Sequence, residues 1–187
     1  MKRAVFLDRD GVLIEEKHYL HKPEDVALFP DAGVALSRLQ AEGFLLVVVT
    51  NQAGVGRGYY TLEDVHKVHE RVRADYRQHG VEFTHIYVAP EAPHEPNRGR
   101  KPSPQFLFEA RDAYGIDLAR SFMIGDKLID LECGWNAGVK QSILVRTGYG
   151  AKTEKESAPI LADKHALVVD DLSAASEAIL ACVRPSR

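Results

Sequence analysis

At 187 residues, 45% of them hydrophobic and 27% charged, the chain has the length and composition of one soluble domain with a single core. A formal net charge of −3 is too small to indicate a polyanion-binding surface and so disfavours nucleic acid as a partner. The apolar residues 4–7 after the basic start are too short for a signal-peptide core and no run approaches the length of a membrane span, so a cytoplasmic protein without membrane contacts is expected.

Residues 4–7 are the first of several short apolar runs bounded by turn residues, and continuous rather than alternating apolarity marks strands buried on both faces. Asp31 can cap a helix carrying Val34, Leu36 and Leu39 that ends before Gly43, and residues 44–49 form the next strand. Thr61 with Asp64 resembles a capping pair opening a helix through Tyr76, followed by a strand at 83–88. Pro104 suits the first turn of a helix through Tyr114, which Gly115 ends. A strand at 121–124 precedes a helix from Leu128 to Ala137 that stops at Gly138. Strands at 142–145 and 166–169 and a helix over 173–183 complete the pattern, with disorder expected at 152–157 and from Arg184.

Strands alternating with helices predict an α/β fold, a doubly wound parallel sheet forming one domain over residues 1–187. Neither the stretch between Asp10 and Thr50 nor that between Asn51 and Arg100 is large enough for a separate cap domain. Cys133 and Cys182 lie in helical segments and read as buried free thiols.

In such sheets ligands bind beyond the carboxyl ends of the strands. The first strand runs into Asp8-Arg9-Asp10-Gly11, and the second into Thr50-Asn51-Gln52 and the glycine-rich residues 53–58, which offer amides to an anion. A proline-rich loop ends in Arg100-Lys101-Pro102, and the fourth strand ends in Gly125-Asp126-Lys127 with Asp130 one turn on. Singly, each has an ordinary reading: an acid after a strand caps a helix, a glycine-rich loop turns the chain, and an Arg-Lys pair is solvated surface. Their joint arrival at four strand ends points to phosphoryl transfer.

An aspartate can attack a phosphate dianion only where the phosphoryl oxygens are neutralised in place. Mg²⁺ held by Asp8, Asp126 and the backbone carbonyl of Asp10 supplies that charge, and Lys101 supplies more. The Thr50 hydroxyl binds a remaining oxygen, while Asp10 protonates the leaving oxygen and later deprotonates the hydrolytic water.

Asp-x-Asp, Thr, Lys and Gly-Asp-x-x-x-Asp, in that order from Asp8 onward, resemble the motifs of the haloacid dehalogenase superfamily, with its Rossmann-like core. More narrowly, Asp-Arg-Asp-Gly-Val, Thr-Asn-Gln-Ala-Gly-Val-Gly-Arg-Gly and Arg-Lys-Pro look like the branch of heptose bisphosphate and histidinol-phosphate phosphatases. The resemblance implies Asp8 as nucleophile, Asp10 as acid/base, Asp126 as a further metal ligand, and Thr50 and Lys101 on the phosphoryl group. It further implies that Glu16, Lys17, His18, Tyr19, Asn51, Gln52, Ala53 and Arg100 contact the sugar or a distal phosphate, with Lys127 lining the pocket. Arg57 beside Arg100 suits a second anionic group.

The substrate is then a small sugar phosphate, first the 7-phosphate of heptose 1,7-bisphosphate, and the enzyme is expected to work as a monomer. Histidinol phosphate or a broad range of small metabolites is the enzymatic alternative, and a phospho-accepting receiver domain the non-enzymatic one. Members of this branch commonly hold a structural zinc through Cys and His before Arg-Lys-Pro. Residues 89–99 contain no Cys and only His94, so no zinc is expected. His18, His21, His66 and His69 form no metal-ligand spacing either, and His66 and His69 read as surface residues.

Overall fold

The computed structural model describes residues 1–183. Its sheet has six strands, β1 (Arg3–Leu7), β2 (Phe44–Asn51), β3 (His85–Ala89), β4 (Phe122–Gly125), β5 (Gln141–Val145) and β6 (Leu167–Val169). They run in the order β3-β2-β1-β4-β5-β6, and every pairing is parallel. β1 is the strand at which the order reverses, with Val5 opposite Leu46 of β2 on one side and Phe122 of β4 on the other. A crevice opens at such a reversal, beyond the carboxyl ends of β1 and β4.

The described residues form eight α-helices: α1 (Ala32–Ala41), α2 (Ala53–Gly56), α3 (Leu62–Arg77), α4 (Gln105–Tyr114), α5 (Leu128–Ala137), α6 (Gly150–Glu156), α7 (Ala158–Asp163) and α8 (Leu172–Val183). Val5 and Leu7 of β1 pack with Leu36 of α1, Val72 of α3 and Ile179 of α8. Ala4 and Phe6, one residue out of step, pack on the opposite face with Leu107 of α4 and Cys133 of α5. Both faces of β1 are therefore apolar, which is why its sequence does not alternate. The expected doubly wound fold is the one observed. The two long connections at the carboxyl edge, residues 8–31 and 90–104, carry neither a named strand nor an α-helix, so no cap domain covers it. No helix among the described residues is long and apolar enough to cross a membrane.

Several local expectations differ from the structure. Residues 152–156, expected to be disordered, lie in α6, and Ser157 joins α6 to α7. The expected disorder from Arg184 falls outside the described residues. Asp31 precedes α1 in a left-handed conformation, φ 59°, and its side chain makes no cap bond. Pro104 sits at the N-cap of α4 rather than within its first turn. Cys133 is buried as expected, but Cys182 is exposed because it lies on the outer side of α8. His69 is buried, not a surface residue, since it shares the inward stripe of α3 with Val65, Val68, Val72 and Tyr76.

Candidate active site

Asp8 follows β1 directly, and its backbone amide donates to the Ile124 carbonyl of β4 across the reversal point. Asp126 follows β4, and Asp130 lies in the first turn of α5. Asp8, Asp126 and Asp130 bring carboxylate oxygens within 4.8 Å of one another. Lys101 enters this cluster from the loop before α4, its Nζ 2.7 Å from Asp8 Oδ1, 2.7 Å from Asp130 Oδ1 and 2.8 Å from the Val49 carbonyl. Burial alone would lower the Lys101 ammonium, but Asp130 and Asp8 outweigh it and hold the group above its usual range.

At the acids burial prevails over the opposing charge. Burial is the main reason that Asp8 is raised from 3.8 to about 6, with Lys101 opposing the shift and Asp130 adding to it. Asp126 is raised to about 8 by burial, then by Asp130 and Asp8. Its Oδ2 accepts the Tyr149 amide at 2.8 Å, while its Oδ1 is buried without a hydrogen-bond partner. A side chain at Gly11, φ +85°, would place its Cβ 2.2 Å from Asp126 Oδ2, so only glycine leaves room there for the carboxylate. A buried acid cluster with an unsatisfied oxygen, built from hard donors, fits a small divalent cation such as Mg²⁺.

Asp10 stands apart from that cluster. Its carboxylate receives Arg9 Nε at 3.0 Å and Nη2 at 3.1 Å, and Gln52 Nε2 at 2.9 Å. Gln52 Nε2 also reaches Thr50 Oγ1 at 2.8 Å, and the Tyr60 hydroxyl donates to Gln52 Oε1 at 2.8 Å. Thr50 and Asn51 belong to β2 itself rather than to the loop after it. Asn51 grips the main chain of Lys101 with both ends of its amide, Nδ2 to the carbonyl at 3.1 Å and Oδ1 from the amide at 3.0 Å.

A cavity of about 300 Å³ opens over these groups, and Asp8, Asp10, Glu16, His18, Tyr19, Asn51, Gln52, Ala53, Arg100, Lys101 and Lys127 all line it. His18 and Tyr19 adopt left-handed φ values of 43° and 61°, a costly conformation for residues other than glycine. Lys127 Nζ lies 3.3 Å from Glu16 Oε2 and 4.5 Å from the centre of the Tyr149 ring. Four residues of the expected set are not among the lining: Thr50 and Asp126 are buried, Lys17 turns away to the Asp25 carbonyl at 2.7 Å, and Arg57 is exposed. The glycine-rich stretch is not an open anion loop. Val55, Gly56, Arg57 and Gly58 spend their amides on chain carbonyls within and beside α2.

The sequence reading missed Arg9, His69 and Tyr60. Arg9 is 1% exposed, and its Nη1 lies 3.2 Å from His69 Nε2. Burial is the main reason that His69 is lowered to about 2. The helical period of α3 carried a signal for His69, which falls in register with the buried valines. Residues 89–99 are held by oxygen and nitrogen contacts: Glu95 accepts the Ala92 amide, Asn97 the Arg100 amide, and Arg98 pairs with Glu109 of α4.

A family model described as HAD-hydrolase-like matches residues 99–175, and one described as polynucleotide kinase 3 phosphatase matches residues 3–131. The chain is 36% identical over 163 residues to the D-glycero-alpha-D-manno-heptose-1,7-bisphosphate 7-phosphatase of Photorhabdus laumondii, covering 83% of this chain and 89% of that protein. It is 40% identical over 157 residues to the D-glycero-beta-D-manno-heptose-1,7-bisphosphate 7-phosphatase of Vibrio cholerae, covering 79% and 83% of the two chains. Among solved structures, a D,D-heptose 1,7-bisphosphate phosphatase from B. bronchiseptica, complexed with magnesium and phosphate, superposes with a TM-score of 0.86 at 30% identity, covering 98% of this chain and 100% of that one. Fold, acid cluster and near full-length similarity agree, and the chain belongs to the haloacid dehalogenase-like hydrolases, in one family with these heptose bisphosphate phosphatases.

Proposed function

We propose that the protein is a Mg²⁺-dependent phosphomonoesterase that removes the 7-phosphate of D-glycero-D-manno-heptose 1,7-bisphosphate through a phosphoryl-Asp8 intermediate. The observation that carries the chemistry is the Asp8 carboxylate, 2.7 Å from the Lys101 ammonium and clustered with an Asp126 oxygen that has no protein partner. Asp8, Asp126 and the Asp10 carbonyl would hold Mg²⁺, which when bound neutralises the phosphoryl oxygens and keeps the buried acids ionised.

In the first step the Asp8 carboxylate forms a bond to phosphorus as the ester P–O bond breaks, and Asp10 gives a proton to the departing sugar oxygen. In the second step Asp10 takes a proton from water as that water displaces Asp8 and releases phosphate. Lys101 and the Thr50 hydroxyl stabilise the negative charge of the transferring group. Asn51 lines the cavity and also acts through Lys101, whose backbone it fixes.

For the substrate, the named relatives support a heptose bisphosphate, and two further features agree. The cavity, about 300 Å³, is at the small end of the range for small-molecule sites. Arg100 lines it while half-buried, with Arg57 near enough to add positive field, which suits a second phosphate. Histidinol-phosphate hydrolysis is the alternative that the same loops permit. A receiver domain is disfavoured, because receivers carry the five-stranded order 2-1-3-4-5 and not a six-stranded sheet ordered β3-β2-β1-β4-β5-β6.

Steady-state rates on the heptose bisphosphate, histidinol phosphate and fructose 1,6-bisphosphate with Mg²⁺ test the assignment. A preference for the heptose bisphosphate well above about tenfold in kcat/KM is expected, and a smaller one would overturn the narrow substrate.

A further inference from the structure

The guanidinium of Arg9 is shared among three partners. It holds both oxygens of Asp10, it donates from Nη2 to the Leu20 carbonyl at 3.4 Å, and its Nη1 meets His69 Nε2 at 3.2 Å. A guanidinium has N–H donors and no acceptor, so His69 Nε2 is the acceptor and the ring proton sits on Nδ1. His69 is 6% exposed and lies outside the lining of the cavity, so it does not reach substrate. A charged ring there would have no lone pair for Arg9 and would set two buried cations against each other.

We propose that His69 is a positioning residue for the acid/base step: by accepting from Arg9 it fixes the guanidinium plane, and that plane aims the Asp10 carboxylate at the leaving oxygen. The fork to Asp10 alone leaves the guanidinium free to swing with its partner. A third bond on the far nitrogen removes that freedom, and Gln52, itself held by Tyr60, fixes Asp10 from the other side. The buried Arg9 charge is thus neutralised by Asp10 and steered by a neutral ring on α3. The inference rests on the reading of Asp10 as the proton donor given above.

Leaving-group chemistry separates this role from a merely structural one. A p-nitrophenolate departs without a proton, whereas a sugar alkoxide needs one, so a misaimed Asp10 should harm phosphoryl transfer from an alkyl ester selectively. The comparison uses kcat/KM, which reports the steps up to phosphorylation of Asp8, on p-nitrophenyl phosphate and on the best alkyl phosphate of the panel above. His69→Leu is expected to lose more than about tenfold on the alkyl ester and less than about threefold on the aryl one. His69→Gln, which puts an amide oxygen where Nε2 stood, is expected to recover most of the loss. Arg9→Lys, which keeps the charge and loses the fork, should repeat the alkyl-selective loss, and it serves as the second probe if His69→Leu does not fold. Equal losses on both esters, no loss in His69→Leu, or no recovery in His69→Gln would overturn the inference while leaving the phosphatase reading intact. Wild-type protein that turned over neither ester with Mg²⁺ would overturn both.

Discussion

Two carboxylates leave the end of β1 two residues apart and enter opposite surroundings. Asp8 is buried against Lys101 and the other acids, while Asp10 is gripped by Arg9 and Gln52. Asp8→Asn should therefore lower turnover by several powers of ten, read as kcat on any accepted phosphate ester. Asp126→Asn should weaken Mg²⁺ binding by calorimetry far more than Asp10→Asn, because Asp126 offers a free carboxylate oxygen and Asp10 only its backbone. Equal weakening would contradict the division of roles. His69 gives a pH signature. Its folded pKa of about 2 lies below the ordinary 6.5, so the unfolded chain takes a proton that the fold refuses. The stability it contributes is present above about pH 6.5 and is lost as pH falls, by up to about 1.4 kcal/mol per pH unit. Urea unfolding at about pH 7 and pH 5 should show a smaller drop in His69→Gln than in the wild type. The acids, Thr50 and Lys101 were legible in the sequence because their types and strand-end spacing state the chemistry. Arg9 and His69 were not, since a buried cation and the neutral ring that orients it depend on partners 60 positions apart.

At the level of elements, the strands and the longer helices were readable to within a few residues because burial on both faces and a 3.6-residue period are local patterns. α3 opens as its sequence indicates, with Thr61 and Asp64 forming a reciprocal capping box. Thr61→Ala should destabilise the fold by about 1 kcal/mol in urea unfolding without changing kcat, since the cap lies outside the cavity. α2 and α6 could not be read so. The glycines of residues 54–58 suggest an open loop, and instead the amides of Gly56, Arg57 and Gly58 donate to the Pro90, Ala53 and Val55 carbonyls. α6 is polar all round, and its seat is tertiary: Thr153 Oγ1 donates to the Asp126 carbonyl at 2.8 Å, and Arg146 pairs with Glu154 at 2.8 Å. A segment tied to a main-chain carbonyl 27 residues away has no local signature.

Across the whole molecule, alternating strands and helices were enough to imply a doubly wound sheet, and the site falls where the strand order turns round between β1 and β4. Placing three acids at that point has a global cost without metal. Burial raises Asp8 to about 6 and Asp126 to about 8 from an ordinary 3.8. A raised carboxyl contributes stability that is full below about pH 4 and is lost as pH rises through the folded values. Mg²⁺ binds the ionised acids, so its stabilising shift in Tm should be larger near pH 8.5 than near pH 6, by differential scanning calorimetry with and without the ion. Equal shifts would contradict the cluster as the metal site. The grip of Asn51 on the backbone of Lys101 has a consequence for divergence within the family. Because β2, and not residues 90–100, holds the ammonium in register with Asp8, the loop that faces the substrate can be rewritten without disturbing the nucleophile's partner. Selectivity and reactivity are mechanically uncoupled, and new substrates are reached by changing a loop around a stationary reaction centre.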